Sequence, residues 1–198
     1  MTERNYDFRG ENLGKLYQSY ASVEILTCLT CGENEFALWA ESGPFKSYKC
    51  LNCKLIFMNP QINEDGLNDY YSNYIGKRRL SNIKKMEQRS KQYIQDASLI
   101  KKLLSNGDVL DVGCNGGFFL DVLGSGYERF GTELDSEAVD FAKNFKLFGS
   151  NIYNGTLISA EFPNNKFDLA VMRGVIEHLC NPEDYIQEIS RILKPGGY

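Results

Sequence analysis

The sequence has few histidine, tryptophan and proline residues, no excess of positive charge and no apolar stretch at its start. Among its 198 residues are one histidine, one tryptophan and five prolines, and the formal net charge at pH 7 is −4. Domains that bind nucleic-acid backbones over their whole surface are usually basic, so this charge argues against that class without excluding a local basic patch. The first ten residues are charged and polar, and they lack the apolar stretch of a signal peptide.

Long apolar runs are also missing. No run approaches the roughly 18 residues that a membrane-spanning helix needs, so we expect a cytoplasmic protein with no membrane partner. In that reducing compartment, six cysteines are better explained as ligands or buried thiols than as disulfides. Apolar residues make up 42% of the chain and charged residues 24%, a composition typical of a globular protein. The length of 198 residues is enough for one ordinary domain and a small module.

Four of the cysteines form two C-x-x-C pairs. The pairs are Cys28 with Cys31 and Cys50 with Cys53. Two such pairs can place four thiolates tetrahedrally around one Zn²⁺, and four protein ligands leave no open position for catalysis. The spacing therefore predicts a structural zinc ribbon over residues 25–60, preceded by a loose polar lead-in over residues 1–24.

The remainder predicts a helical segment and then alternating strands and helices. Apolar residues at helical spacing predict helices within 61–105, where we expect a connector that lies over a bound cofactor. From residue 106 to 198, strands separated by helices predict a Rossmann-like, doubly wound parallel sheet. The strands are predicted at 109–113, 129–134, 151–153 and 167–172, and the helices at 117–124, at 136–148 and from Pro182 onward with Asn181 as N-cap.

The first of these strands ends in a glycine-rich turn. Small residues there let a ligand approach the backbone, and the helix that follows offers free N–H groups. The dinucleotide pattern G-x-G-x-x-G fails because Asn115 stands where its second glycine should be, which argues against a dehydrogenase. On this pattern alone, an ordinary strand-to-helix turn is the alternative.

The turn resembles motif I of class I S-adenosylmethionine-dependent methyltransferases, (D/E)-x-G-x-G-x-G. Asp111, Gly113 and Gly117 match it, and Asn115 replaces the middle glycine with Gly116 beside it. Asparagine is the non-glycine residue that best tolerates a positive φ. Three later features resemble the same family and extend the resemblance over 108–198. They are Glu133 at the end of the second strand, Glu-His-Leu at 177–179 and Lys-Pro-Gly-Gly at 194–197.

The resemblance implies S-adenosylmethionine as cofactor and assigns residues to its site. Glu133 is implied to accept hydrogen bonds from the ribose hydroxyls. The other implied cofactor-binding residues are Asp111, Gly113, Cys114, Asn115, Gly116, Gly117, Leu134, Thr156, Leu157, Arg173 and Tyr74.

Methyl transfer to oxygen also calls for a group that takes the acceptor's proton. His178 is the candidate, because histidine can accept a proton near neutral pH and this one follows the fourth strand. The alternative is that His178 only shapes its turn. Glu177 and Arg173 are further candidates for contacts with the acceptor.

The order of the motifs around the cysteines suggests an acceptor class. The two cysteine pairs, then Phe57-x-Asn59-Pro60, then Tyr70-Tyr71-x-x-Tyr74, resemble methyltransferases of bacterial polysaccharide and small-molecule biosynthesis. We therefore expect a small-molecule or saccharide acceptor. Alternatives are an RNA methyltransferase whose ribbon and basic segment 77–91 contact RNA, and a non-catalytic zinc-ribbon binding protein. A solvated helix face is the simpler explanation of the basic segment.

The family's sheet has seven strands, and this sequence ends at Tyr198, where the fifth should begin. We expect a C-terminally truncated fold from a longer protein, with its cofactor cradle present and its acceptor pocket incomplete. Such a chain should bind cofactor but turn over poorly.

Overall fold

The structure is a computed structural model that describes residues 9–72, 83–145 and 151–198. Its internal contacts divide the chain into two units, Met1–Tyr70 and Tyr71–Tyr198. We call them the ribbon unit and the sheet unit. Within the described ranges, no helix combines the length and the apolar character that crossing a bilayer requires.

The ribbon unit consists of short strands and a preceding helix. Its elements are α1 (Arg9–Tyr20), β1 (Ala21–Val23), β2 (Phe36–Ser42), β3 (Phe45–Cys50), β4 (Ile56–Met58), β5 (Gln61–Ile62) and the start of α2 (Glu64–Ser72). Strands β2, β3 and β4 form an antiparallel sheet in that order, and β1 pairs with β5. The buried core is small and consists of Ile25, Cys28, Cys50 and Phe57, so two of its four members are cysteines.

The expectation of a loose lead-in before the ribbon is wrong for residues 9–20, which form α1. Leu13, Leu16, Tyr17 and Tyr20 follow one another at helical spacing, which is the signal that predicts this helix. Tyr17 is 3% exposed, its ring lies 4.6 Å from that of Phe45, and its hydroxyl donates to the carbonyl of Pro60 at 2.7 Å. The helix is therefore packed into the ribbon unit.

The sheet unit alternates strands and helices. Its elements are α3 (Ile83–Leu103), β6 (Gly107–Val112), α4 (Phe118–Leu123), β7 (Tyr127–Glu133), α5 (Ser136–Phe145), β8 (Ile152–Asn154), β9 (Leu169–Met172), a 3₁₀ turn (Ile176–His178) and α6 (Pro182–Ile192). The four strands are parallel and lie in the order β8-β7-β6-β9. The predicted Rossmann-like fold is confirmed, with strand ends that differ from the predicted ones by a few residues.

Strand β6 lies between β7 and β9 in the sheet and is buried on both faces. Val109 packs in one core with residues of α3 and α4, among them Ile100 and Phe119. Leu110 points to the opposite face and packs with Phe167. Covering both faces with helices and loops is typical of parallel sheets.

The helices α5 and α6 begin differently. Asn181 is the N-cap of α6 and Pro182 its first residue, as predicted, but the Asn181 side chain makes no capping hydrogen bond. Asp135, for which no role was predicted from the sequence, caps α5. Its Oδ1 accepts hydrogen bonds from the N–H groups of Glu137 and Ala138 at 2.9 and 3.1 Å.

The segment after α6 runs alongside β9. Phe167 and Leu193 form a parallel bridge. Tyr198 donates its N–H to the carbonyl of Asp168 at 3.0 Å, and Ala170 donates to the carbonyl of Tyr198 at 2.9 Å. This segment therefore extends the parallel order on the β9 side, where the family's fifth strand is expected.

Candidate functional site

The turn between β6 and α4 has three left-handed residues. Gly113, Asn115 and Gly117 have φ angles of 70°, 54° and 73°. The expectation that Asn115 adopts a positive φ is confirmed, and its Oδ1 accepts a hydrogen bond from the N–H of Gly116 at 2.7 Å. A side chain at Gly113 would bring its Cβ within 2.6 Å of Val175 Cγ2. The absence of a side chain at Gly113 lets Val175 pack beside the turn, and Gly113 itself is exposed.

Glu133, at the end of β7, lies beside the turn and accepts a hydrogen bond from it. Its Oε2 accepts a hydrogen bond from the N–H of Asn115 at 2.8 Å, and its Oε1 accepts from Leu134 and Asp135 at 2.9 and 3.0 Å. Burial raises the pKa of Glu133, and these three N–H groups act in the opposite direction. A carboxylate offers about four acceptor positions, so Oε2 keeps capacity for one hydroxyl donor. The side chain can therefore serve the turn and a ribose at once.

Other predicted residues of the turn lie beneath it. The side chains of Asp111 and Cys114 are 1% and 4% exposed, and the glycines at 116 and 117 are buried. A Cβ at Gly131 would approach Cys114 Sγ to 2.5 Å, so this thiol fills the space above β7. Burial raises the pKa of the Cys114 thiol well above its ordinary value. Cys114 is thus a neutral packing group that supports the turn from below.

Arg173 follows β9, and its guanidinium faces other protein groups. Its Nη1 lies 3.3 Å from Asp96 Oδ2, and its Nη2 lies 3.6 Å from Asp111 Oδ2. The sequence predicts that Arg173 contacts cofactor or acceptor, and this contact stays a prediction. In the structure its two terminal nitrogens face carboxylates, while its Nε is buried without a hydrogen-bond partner among the described residues.

Thr156 and Leu157 follow β8 but turn toward the protein. Thr156 Oγ1 accepts a hydrogen bond from the N–H of Ser159 at 3.0 Å and lies 3.0 Å from the Ser159 hydroxyl. Leu157 is fully buried in the core that contains Leu110 and Phe167. The predicted contacts of both residues stay predictions.

His178 lies in the 3₁₀ turn after β9, at the carboxyl end of the sheet. Its side chain is exposed, and its ring centre is 5.7 Å from that of Tyr71, in an edge-on arrangement. Glu177 is exposed beside it. Solvent access and the nearby Tyr71 ring suit a group that exchanges protons with an acceptor.

Part of the predicted site lies outside the described residues. Tyr74, Lys77, Arg78 and Arg79 belong to this part. At the other end of the basic segment, Arg89 and Lys91 are exposed on α3, as a solvated helix face requires.

The four predicted metal ligands lie together in the ribbon unit. All four sulfur atoms lie within 4.8 Å of one another, with 3.4 Å between Cys28 and Cys53 and 3.6 Å between Cys31 and Cys50. A disulfide needs a sulfur separation of about 2.05 Å. Zn–S bonds of about 2.3 Å place the sulfurs of a tetrahedral site roughly 3.8 Å apart. The cluster therefore fits a tetrahedral metal site and not two disulfides.

The two C-x-x-C turns have matching backbone geometry. Gly32 N–H donates to the carbonyl of Cys28 at 2.9 Å, and Lys54 N–H donates to the carbonyl of Cys50 at 3.1 Å. Gly32 and Lys54 both have positive φ, at 75° and 68°. A backbone hydrogen bond at Glu33 lowers the pKa of Cys31 to about 6. At Cys53, a backbone hydrogen bond at Leu55 is outweighed by burial and the neighbouring thiols, which raise the pKa of Cys53 to about 12. The cluster therefore holds a thiolate at Cys31 beside a protonated thiol at Cys53.

Residues 110–198 match the family described as methyltransferase domain. Among curated proteins, the chain is 31% identical over 101 residues to a ubiquinone biosynthesis O-methyltransferase of Nitrosospira multiformis, covering 48% of this chain and 42% of that protein. It is 34% identical over 104 residues to the mitochondrial ubiquinone biosynthesis O-methyltransferase of Rattus norvegicus, covering 48% and 30%. The chain thus matches less than half the length of these relatives.

A solved structure of a SAM-dependent methyltransferase from Aquifex aeolicus is also similar, with 26% identity and a TM-score of 0.45, covering 58% of this chain and 67% of that one. The parallel order of β8, β7, β6 and β9, the turn at 113–117 and the family match all concern the same part of the sequence. Over this part, the chain is similar to class I S-adenosylmethionine-dependent methyltransferases.

Proposed function

We propose that the protein transfers a methyl group from S-adenosylmethionine to an oxygen atom of a small-molecule acceptor. The observation that carries the proposal is the arrangement of Glu133 beside the turn at 113–117. A carboxylate with one free acceptor position adjoins a left-handed backbone that glycine and asparagine form most readily. Both features suit a ribose and a ligand chain lying against the carboxyl end of a parallel sheet.

The residues of the turn would hold the cofactor. Glu133 would accept a ribose hydroxyl, and Gly113 would let the ligand lie close to the backbone. When bound, S-adenosylmethionine supplies an electrophilic methyl group on a sulfonium. The protein's part is then to align the acceptor and to take its proton. His178, exposed beside the ring of Tyr71, is the proposed base for that proton.

The acceptor class is the finer part of the proposal. The curated relatives named as ubiquinone biosynthesis O-methyltransferases support an oxygen acceptor on a small molecule. A saccharide hydroxyl would meet the same chemical requirement, and the motif order around the cysteines favours it.

We further propose that Cys28, Cys31, Cys50 and Cys53 hold one structural Zn²⁺. The sulfur separations and the matched turns support this assignment. The small core of the ribbon unit supports it too, because a unit with so few buried side chains needs an additional crosslink.

An assay with a labelled methyl donor tests the proposal. The protein is incubated with hydroxylated aromatic compounds, sugar nucleotides and RNA in parallel. Label on a hydroxyl of either small-molecule class supports the proposal. Label on RNA alone would overturn the acceptor assignment, and S-adenosylhomocysteine that fails to bind would overturn the activity itself.

A further inference from the structure

The guanidinium of Arg173 lies in an enclosed setting between α3, β6 and α4. Its carbon is 4.5 Å from the ring centre of Tyr93 on α3 and 4.0 Å from that of Phe119 on α4. The carboxylates of Asp96 and Asp111 approach its two terminal nitrogens. A planar guanidinium can stack on aromatic rings while its edges face carboxylates, which an ammonium group cannot do equally well.

Asp111 depends on this partner. Its side chain is 1% exposed, and burial raises its pKa to about 7, with Arg173 as the main opposing influence. The other ionisable groups acting on it, Glu133 and Asp96, are both acidic and raise the pKa further. Without the guanidinium, Asp111 would be a buried acid near two other acids. Removing one partner of a buried ion pair is strongly destabilising.

The contacts of Arg173 form a network, and two parts of it adjoin the turn at 113–117, which we call the cofactor turn. Asp111, on β6, lies two residues before Gly113 of the turn. Val175, two residues after Arg173, is the side chain that a Cβ at Gly113 would strike. Helix α3 joins the network through Tyr93 and Asp96.

We propose that Arg173 is a positioning residue that fixes helix α3 against the strand end carrying the cofactor turn, so that cofactor affinity depends on Arg173 without direct contact. This inference rests on the proposed function, because it concerns binding at the same turn. It differs from a direct cofactor contact in one respect. Positioning through α3 predicts that loss of the Asp96 contact lowers the affinity and the protection of α3 amides together, whereas a direct contact does not link affinity to the protection of α3.

The test uses five variants: Arg173→Met, Arg173→Lys, Asp96→Asn, the double variant Arg173→Met with Asp96→Asn and, as control, Lys101→Met. Lys101 is an exposed lysine of the same helix, so its loss removes one positive charge without touching the network. Calorimetry gives the affinity for S-adenosylhomocysteine, and hydrogen exchange gives the protection of α3 amides.

We expect Arg173→Met to weaken binding about tenfold and Asp96→Asn severalfold, each with faster exchange in α3, in the range of coupling energies seen between linked sites. Arg173→Lys should restore part of the affinity. Adding Asp96→Asn to Arg173→Met should have little further effect, because the contact is already broken. Lys101→Met should bind as the unchanged protein does.

Unchanged affinity in Asp96→Asn, together with weakened binding in Arg173→Met, would overturn positioning in favour of direct contact. If Arg173→Met does not fold, Asp96→Asn still decides between the two. An unchanged protein that binds no S-adenosylhomocysteine overturns the proposed function and the affinity part of this inference. In that case, hydrogen exchange of the α3 amides in Asp96→Asn still tests whether the contact between Asp96 and Arg173 holds α3 in place. Exchange rates equal to those of the unchanged protein would refute that role.

Discussion

The carboxylate of Glu133 accepts a hydrogen bond from the backbone N–H of Asn115 at 2.8 Å, joining the end of β7 to the turn that follows β6. Strands β6 and β7 are parallel neighbours, so their carboxyl ends meet at one edge of the sheet. The link fixes the turn while leaving one carboxylate position for a ligand hydroxyl.

Asn115 has a left-handed backbone conformation, which glycine adopts easily and valine does not. Both Asn115→Gly and Asn115→Val remove the hydrogen bond to Gly116, so the difference between them isolates backbone strain. We expect valine to cost about 1–2 kcal/mol of stability relative to glycine, because a left-handed conformation crowds its Cβ. Urea unfolding of the two variants measures this difference. Equal midpoints would mean that the turn does not hold φ near 54°.

The cysteine cluster predicts one zinc ion per chain. Elemental analysis should find one equivalent, and a strong chelator should unfold the ribbon unit, because its core is small and two of its four buried members are cysteines. Replacing Cys50 with serine should have the same effect. Cys180→Ser, which changes a cysteine outside the cluster, should retain the metal. Protein without zinc that keeps the ribbon's amide protection would contradict this assignment.

An ion pair at the opposite edge of the sheet predicts a pH-dependent stability. Lys194 Nζ lies 2.7 Å from Asp168 Oδ2, and this contact holds the pKa of Asp168 below its ordinary value. A lowered pKa in the folded state means that the stabilisation is present above the unfolded-state pKa and is lost as the pH falls through the folded-state pKa. Because the pair is partly exposed, its contribution should be below about 1 kcal/mol.

Urea midpoints of the unchanged protein and Asp168→Asn at pH 7 and pH 3 measure this dependence. The variant should unfold at a lower urea concentration than the unchanged protein at pH 7. This difference between the two midpoints, the gap, should be smaller at pH 3. Asp140→Asn, at an exposed position on α5, serves as the control with no gap at either pH. A gap that widens on acidification would show that the sign of the assignment is wrong.

His178 should affect turnover and not cofactor binding. If it takes the acceptor's proton, His178→Ala should lower kcat by about 10²–10⁴-fold, the usual range for a general base. Its affinity for S-adenosylhomocysteine should be unchanged, because the side chain is exposed and lies beside Tyr71. Unchanged kcat on the true acceptor would leave His178 with the alternative role of shaping its turn.

The sequence predicted those parts of the fold and site whose signals are local. The strand and glycine turn at 107–117, the acid at Glu133 and the paired cysteines each lie within a few residues that carry a recognisable pattern. The strand order then brings the turn and Glu133 together without further information. Helix α1 had a local signal too, in the spacing of Leu13, Leu16 and Tyr17, but the polar residues around it suggested a loose segment.

The contacts of Arg173 could not be predicted in the same way. Its partner Asp96 is far away in the sequence, and nothing local distinguishes that residue from the other charged residues of α3. Thr156 was expected near a cofactor, but its hydroxyl serves the turn with Ser159. The contacts of Arg173 are long-range, whereas those of Thr156 belong to a local turn whose geometry the residue types alone do not specify.

Cofactor binding at the turn beside Glu133 is the central claim, and calorimetric titration with S-adenosylhomocysteine tests it most directly. Three proteins are compared: the unchanged chain, Glu133→Ala, and Glu137→Ala as an exposed glutamate on the neighbouring helix. The unchanged chain and Glu137→Ala should bind equally well. Glu133→Ala should lose about tenfold or more in affinity, because hydrogen bonds to a charged acceptor contribute about 1.5–3 kcal/mol. Equal binding by Glu133→Ala, or no binding by the unchanged chain, would contradict the account.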